Sequence, residues 1–272
     1  AIATVISQIA SCIFVLAALR SRRMPVRLGW GGFQWKAIRR IAAFGLSPFL
    51  IIASDSILLI VLNTVLQRYG GPGEGDTLVT CATIVQSYLL LITMPMGGIT
   101  LGSQPVISFN YGMGDAGRIK KALRCIVGLC VGFCALMMLT TYTISPVYVR
   151  LFTKDAAIME RSVRYIKIFT AMIIPLAIQY PLVDETTALG QVKLALFCSA
   201  FRKLIYLGSL LLLPALLSAE AAFFSEPVAD VTAAVMTTVL FLHFFPRIIA
   251  KRTEECRQTS APVQAQTGRE SG

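Results

Sequence analysis

The sequence predicts an all-α, polytopic membrane protein with about seven transmembrane helices, and three observations carry that prediction. Of the 272 residues, 56% are hydrophobic and only 14% charged, where a soluble domain normally carries about 25% charged residues. The apolar residues gather into runs near 20 residues long, the length that crosses a bilayer core as a helix. Strand-like alternation of apolar and polar residues is absent throughout, and a backbone in lipid that does not close a barrel must be helical.

The candidate spans fall at about 2–19, 41–66, 78–101, 123–147, 165–188, 194–217 and 221–245. The fifth and sixth are the least clean, because Asp184 and Glu185 interrupt one and Arg202 and Lys203 the other. Prolines punctuate six of the seven: Pro48, Pro95, Pro146, Pro175 with Pro181, Pro214, and Pro227. Each removes a backbone hydrogen bond and favours a kink. Lysine and arginine in the loops set the orientation. Connector 20–40 holds Arg20, Arg22, Arg23, Arg27, Lys36, Arg39 and Arg40 with no acid, and 110–122 is basic through Arg118, Lys120 and Lys121. Lys193 and the restart at Arg247, Lys251 and Arg252 place the turn near 190 and the C-terminus on that same, cytoplasmic side of the cell membrane. Connector 148–164 dissents, with Arg150, Lys154, Arg161 and Arg164 on the side assigned as outer.

The net charge of +11 collects in these connectors with little aromatic interleaving, so it suits an anionic membrane face and argues against nucleic acid. The seven cysteines lie mostly inside apolar runs, with no histidine or CxxC pairing among them. They read as packing residues, and neither a metal site nor a cofactor is expected. The opening "AIATVISQIA" lacks a basic leader region and reads as an interior position of a longer parent. The polar end, "QTSAPVQAQTGRESG", reads as a disordered tail. No phosphate loop, nucleophile elbow or HExxH occurs, so an enzyme is not expected and energy would come from an ion gradient.

Asp55 is the sharpest feature. It stands in "FLIIASDSILLIVL", roughly 20 Å of helix from the flanking Arg40 and Arg68, near the bilayer midplane. A charge there costs about 2.5–3.5 kcal/mol on insertion scales, which points to an ion or proton site on an internal cavity; an inter-helix hydrogen bond is the plainer alternative. Asp184 and Glu185 lie about 14 Å of helix from Lys193, again deep. Glu226 and Asp230 share a helix face, Asp230 being the deeper cavity candidate and Glu226 the nearer to outer solvent. Gln86, with Ser87 and Tyr88, makes a polar patch that suits substrate or packing equally. Arg202 and Lys203 either snorkel or line a vestibule, and His243 reads as interfacial.

The stretch "MPMGGITLGSQPVISFNYGMGDAGRIKKALR", residues 94–124, is the most specific. Its Pro95, Gly98, Gly102, Gln104, Pro105, Asn110, Tyr111 and Gly112, followed by a basic helix start, strongly resemble the multidrug and toxin extrusion (MATE) transporters. "AIATVISQ", "FGLSPFLIIASDSILLIVLN", "VRLFTKDAAIMERSVRYIKIF" and "EPVADVTAA" resemble that family in the same order, through about residue 250. The resemblance implies a twelve-helix parent of two bundles. Residues 1–40 would be the last helix of the first bundle plus a basic linker, 41–250 the second six-helix bundle, and 251–272 a cytoplasmic tail. It implies export of small cationic or amphipathic drugs in exchange for H+ or Na+, with Asp55 at the place of a functional family carboxylate and the N-terminal bundle as partner in the lipid bilayer. Asp184 and Glu185 depart from the resemblance and rest on depth alone. A lipid-linked oligosaccharide flippase of related architecture, a seven-helix receptor and an inactive truncated product are the alternatives. The acids at 55, 184, 185 and 230 favour cationic cargo over a pyrophosphate lipid, and the last span offers no lysine for retinal.

Overall fold

The computed structural model describes the backbone of residues 2–20 and 34–270; within these helices the side chains of 2–4, 40–41, 43–48, 50–52, 257 and 259–270 are not described. Arg22, Arg23 and Arg27 of the basic linker, and the Pro48 ring, therefore lie outside the described residues. The helices are α1 (Ile2–Arg20), α2 (Trp35–Gly70), α3 (Glu74–Gly112), α4 (Ala116–Arg150), α5 (Ala156–Phe169), α6 (Ile173–Ala188), α7 (Val192–Leu216) and α8 (Ser225–Glu270), with a 3-10 segment at Ala219–Phe224. Among the described residues no strand occurs. By length and hydropathy, four segments are able to cross a membrane: α3, α4, α7 and the run Ala219–Cys256. The bent pair α5–α6 makes a fifth. The chain divides into two compact units, 1–48 and 49–272.

In the first unit, α1 is apolar along Val5–Arg20, and Val5, Ile6, Ile9, Ile13 and Phe14 are all exposed. A helix apolar on every side is suited to lipid or to a partner helix.

The second unit is a helical bundle. Its core joins Leu62 and Leu66 of α2, Tyr88, Ile92 and Met96 of α3, Cys130 and Cys134 of α4, Ile166 and Phe169 of α5, and Leu210 of α7. Phe223, in the 3-10 segment, stacks on Tyr165 at 3.9 Å and meets Phe169 edge-on. Cys81, Cys130, Cys134 and Cys198 are buried as the sequence suggests, with Cys134 Sγ 3.8 Å from Met96 Sδ, whereas Cys12 and Cys125 are exposed.

The fifth span departs from a single helix over 165–188. It is broken between Phe169 and Ile173, and α5 and α6 are bent by 53°. Pro175 supplies the reason: it has no N–H for the Ala171 carbonyl, and its ring crowds that same carbonyl. On the other side of the break, α5 begins where Asp155 accepts from the Ala157 amide at 2.9 Å, a side-chain N-cap.

Short turns join the remaining helices. Between α2 and α3 the sequence "GGPGEG" lets the backbones nearly touch, since a Cβ on Gly70 would sit 2.8 Å from the Gly75 Cα. Between α3 and α4, Gly114 adopts φ +74° and Asp115 caps α4 by accepting from the Arg118 amide at 3.0 Å. Past residue 250, where composition predicts a disordered tail, α8 continues as helix to Glu270, and residues 252–256 are docked. Arg252 donates to the Tyr111 carbonyl at 3.2 Å and the Gly112 carbonyl at 3.1 Å, and Thr253 donates to the Gly114 carbonyl at 3.2 Å.

Candidate functional site

The deepest polar cluster is built by α3 and α6. Glu185 is fully buried and Asp184, beside it on α6, is half-buried. Two hydroxyls one helical turn apart on α3 reach them. Thr100 Oγ1 lies 2.6 Å from Asp184 Oδ2 and 3.1 Å from the Gly97 carbonyl oxygen. Ser103 Oγ lies 2.7 Å from Glu185 Oε1 and 2.8 Å from the Thr100 carbonyl oxygen. Each hydroxyl has one proton and two acceptors in reach. The second oxygen of Glu185, Oε2, is buried with no protein partner. An open groove of about 500 Å³ between α3 and α6 is lined by Thr93, Met94, Gly97, Gly98, Leu101 and Tyr180, and by none of the four cluster residues. Tyr180 precedes Asp184 by four residues and so shares its helix face. Gly97 lets it approach: a Cβ there would meet the Tyr180 hydroxyl at 3.4 Å.

A second cluster joins α7 to α8. Arg202 donates to Asp230 Oδ1 from both Nε, at 3.0 Å, and Nη2, at 2.8 Å. Its Nη2 also donates to Glu226 Oε1. Asp230 is 1% exposed, and Glu226, placed by the sequence nearer the outer solvent, is buried with it. The 3-10 segment at 219–224 explains this. It sits between α7 and α8 with Ala221, Ala222 and Phe223 buried, so α8 starts within the bundle.

Asp55 occupies a third position. Its carboxylate is exposed, and Lys203 Nζ, reaching from α7, lies 2.8 Å from Oδ1. The sequence finds four deep acids and a fifth, Glu226, nearer the outer end, and the structure sorts them. Asp55 is paired with Lys203, Glu226 and Asp230 share Arg202, and Asp184 with Glu185 meets hydroxyls. Gln86 is half-buried on α3, apart from these clusters in sequence and outside their hydrogen bonds. His243 is exposed, its ring 5.0 Å from Phe244. Sequence reasoning missed Thr100, Ser103 and Tyr180. The i, i+3 hydroxyl pair inside the Gly-rich stretch, and a tyrosine four residues before the acids, were the available signals.

The residues of the Gly-Pro-rich stretch divide by position. Pro95, Gly98, Gly102 and Pro105 are exposed along α3, with Gln104 half-buried. Asn110, Tyr111 and Gly112 form its end: Asn110 Nδ2 donates to the Val106 carbonyl at 2.8 Å, and the Arg252 guanidinium sits 5.7 Å from the Tyr111 ring centroid.

This order of helices has counterparts among known proteins. The family profile described as MatE matches residues 52–211, more than half of the chain. The chain belongs to the MatE family. It is a multi-pass membrane protein of the MATE type. The multidrug export protein MepA of Staphylococcus aureus (strain N315) is 22% identical over 256 residues, covering 93% of this chain and 55% of that protein. A solved outward-facing multidrug resistance MATE family transporter of the MOP superfamily superposes with TM-score 0.78 at 19% identity, over 91% of this chain and 55% of that one. A MOP superfamily transporter from Pyrococcus furiosus gives TM-score 0.78 at 18% identity, again over 91% and 55%. At these identities the structural likeness is one of fold. The MATE chain spans about half the length of the curated relatives it matches.

Proposed function

We propose that this MATE chain is the second bundle of a secondary transporter that exports cationic or amphipathic organic compounds across the cell membrane in exchange for protons. Asp184 and Glu185 are the proposed loading site. The supporting observation is the hydroxyl geometry at these acids. When the carboxylates are charged, Thr100 and Ser103 turn their protons toward them. When the acids carry protons, they donate across the same short contacts and the hydroxyls turn to the Gly97 and Thr100 carbonyls. Both states fit one heavy-atom arrangement, so loading and unloading need no large rearrangement. Glu185 Oε2, buried and without a protein partner, favours the loaded state, because a bare carboxylate oxygen in that surround is costly. Tyr180, which lines the groove, precedes Asp184 by one helical turn, and on this reading the groove is where cargo gathers before exchange.

The test is efflux of ethidium from proteoliposomes carrying the protein as the cell makes it. A pH gradient alone should drive efflux, and Asp184→Asn with Glu185→Gln should abolish the response while leaving incorporation unchanged. Efflux that requires sodium and ignores the pH gradient would overturn the proton assignment.

A further inference from the structure

We infer that the turn after α4 is a binding site for an anionic phospholipid. The lipid phosphate sits against Arg150 and Lys154, and its acyl chains run along Val147, Leu151 and Phe152. The inference needs only a membrane-spanning bundle and is independent of the export reading.

Connector 148–164 breaks the orientation rule, with Arg150, Lys154, Arg161 and Arg164 on the side assigned as outer. Two of the four are answered by acids. Arg161 Nη1 lies 2.9 Å from Glu74 Oε1, and Arg164 Nη2 lies 3.7 Å from Glu160 Oε1. Asp155 is occupied in capping α5, where it accepts from the Ala157 and Ile158 amides. Among the described residues, no carboxylate pairs with the exposed Arg150 or Lys154. The dissent therefore narrows to two basic side chains that flank one turn.

The depth of that turn matches the headgroup layer. Between Arg124 and Arg150, α4 carries no charge. The helix rises about 39 Å over that stretch, close to the roughly 40–45 Å of a bilayer with its headgroups. Beside Arg150 stands an apolar ledge: Val147, Leu151 and Phe152 are 61%, 79% and 51% exposed. The Thr153 amide reaches the Val149 carbonyl at 3.2 Å, so the chain makes one more turn and keeps this ledge beside the arginine. Phe152 rests on Tyr148, their ring centroids 5.0 Å apart, and Tyr142 is exposed further down the same helix, as in the aromatic belts of membrane interfaces. Charge and shape together select the ligand. The guanidinium fork matches a phosphate, and the lysine adds a second positive charge. A headgroup with net negative charge suits them better than a zwitterionic one, whose own cation they would repel. Free phosphate would leave the ledge bare, whereas a diacyl lipid covers it.

Native mass spectrometry of the protein as the cell makes it, in detergent, reads the dissociation constant of the first bound lipid. The probes are dioleoylphosphatidylglycerol and dioleoylphosphatidylcholine, which share their chains and differ in headgroup charge. The unaltered protein should prefer phosphatidylglycerol, and Arg150→Gln with Lys154→Gln should reduce that preference by on the order of 20-fold, each single change supplying about fivefold. Exchanging the two bases, Arg150→Lys with Lys154→Arg, should keep the preference, which separates charge from misfolding. Leu151→Ser with Phe152→Ser should weaken both lipids alike and leave their ratio intact. Lys120→Gln with Lys121→Gln, at the opposite end of α4, should leave the first lipid's preference unchanged. Equal affinity of the unaltered protein for the two lipids would overturn the inference. So would a preference that survives loss of Arg150 and Lys154 but disappears with Lys120 and Lys121, since the lipid would then sit at the other end.

Discussion

At Arg202 one guanidinium answers two carboxylates from a neighbouring helix, Glu226 and Asp230, with Asp230 almost wholly buried. Two acids one turn apart repel each other unless a cation or a proton intervenes, and Arg202 supplies that cation here. Arg202→Met should lower unfolding stability by on the order of 3 kcal/mol, the usual result of stripping one partner from a buried charge cluster. Asp230→Asn should cost less, because it leaves one arginine facing one carboxylate. Thermal unfolding of the detergent-solubilised protein checks both, and an Arg202→Met protein as stable as the unaltered one would refute the clamp. The acids themselves were legible from the sequence, as charges in apolar runs. Their partners were not: Arg202 lies 28 residues from Asp230 and Lys203 lies 148 from Asp55, and helical periodicity carries no information about which side chains meet across a bundle.

Among the elements, the α3–α4 turn shows how the Gly-rich stretch works. Helix α3 ends in Asn110-Tyr111-Gly112; the Tyr111 carbonyl accepts from the Gly114 amide at 3.1 Å, and it and the Gly112 carbonyl also accept from Arg252 of α8. Gly114 then turns the chain at φ +74°, with Cys256 Sγ only 3.1 Å from where a Cβ would stand. Gly114→Ala should therefore destabilise twice over. A left-handed alanine costs about 1–2 kcal/mol, and its methyl would push α8 away from the turn. The change should appear as a lowered unfolding temperature together with increased alkylation of Cys256 by a maleimide; an unshifted rate at Cys256 would show that α8 does not rest on this turn. The sequence marked this stretch as specific without showing what it holds. Here it terminates one helix, caps the next through Asp115 and receives a third. The break between α5 and α6 was half legible: Pro175 announced a kink, but a proline lacking only one hydrogen bond bends some helices and severs others, and the local packing decides which.

For the molecule as a whole, openness is confined to Asp55 and the groove beside Tyr180, while Glu185, Glu226 and Asp230 are buried. Asp55 is exposed at a depth that should be apolar, and the groove beside Tyr180 is walled by α3 and α6 alone. Alternating access works by rocking one bundle against another around a shared site, and this chain matches about half the length of its curated relatives. On the export reading, this bundle needs a second one to move against before a cavity closes on either side. Reconstituted by itself in vesicles, the chain of residues 1–272 should retain ethidium binding yet fail to concentrate the dye across the membrane under a pH gradient. Equilibrium binding and vesicle uptake, measured on one preparation, separate those two properties. Binding without uptake fits one bundle holding a site and two bundles performing transport, whereas gradient-driven accumulation by these residues alone would mean that a single bundle, or a pair of identical ones, completes the cycle.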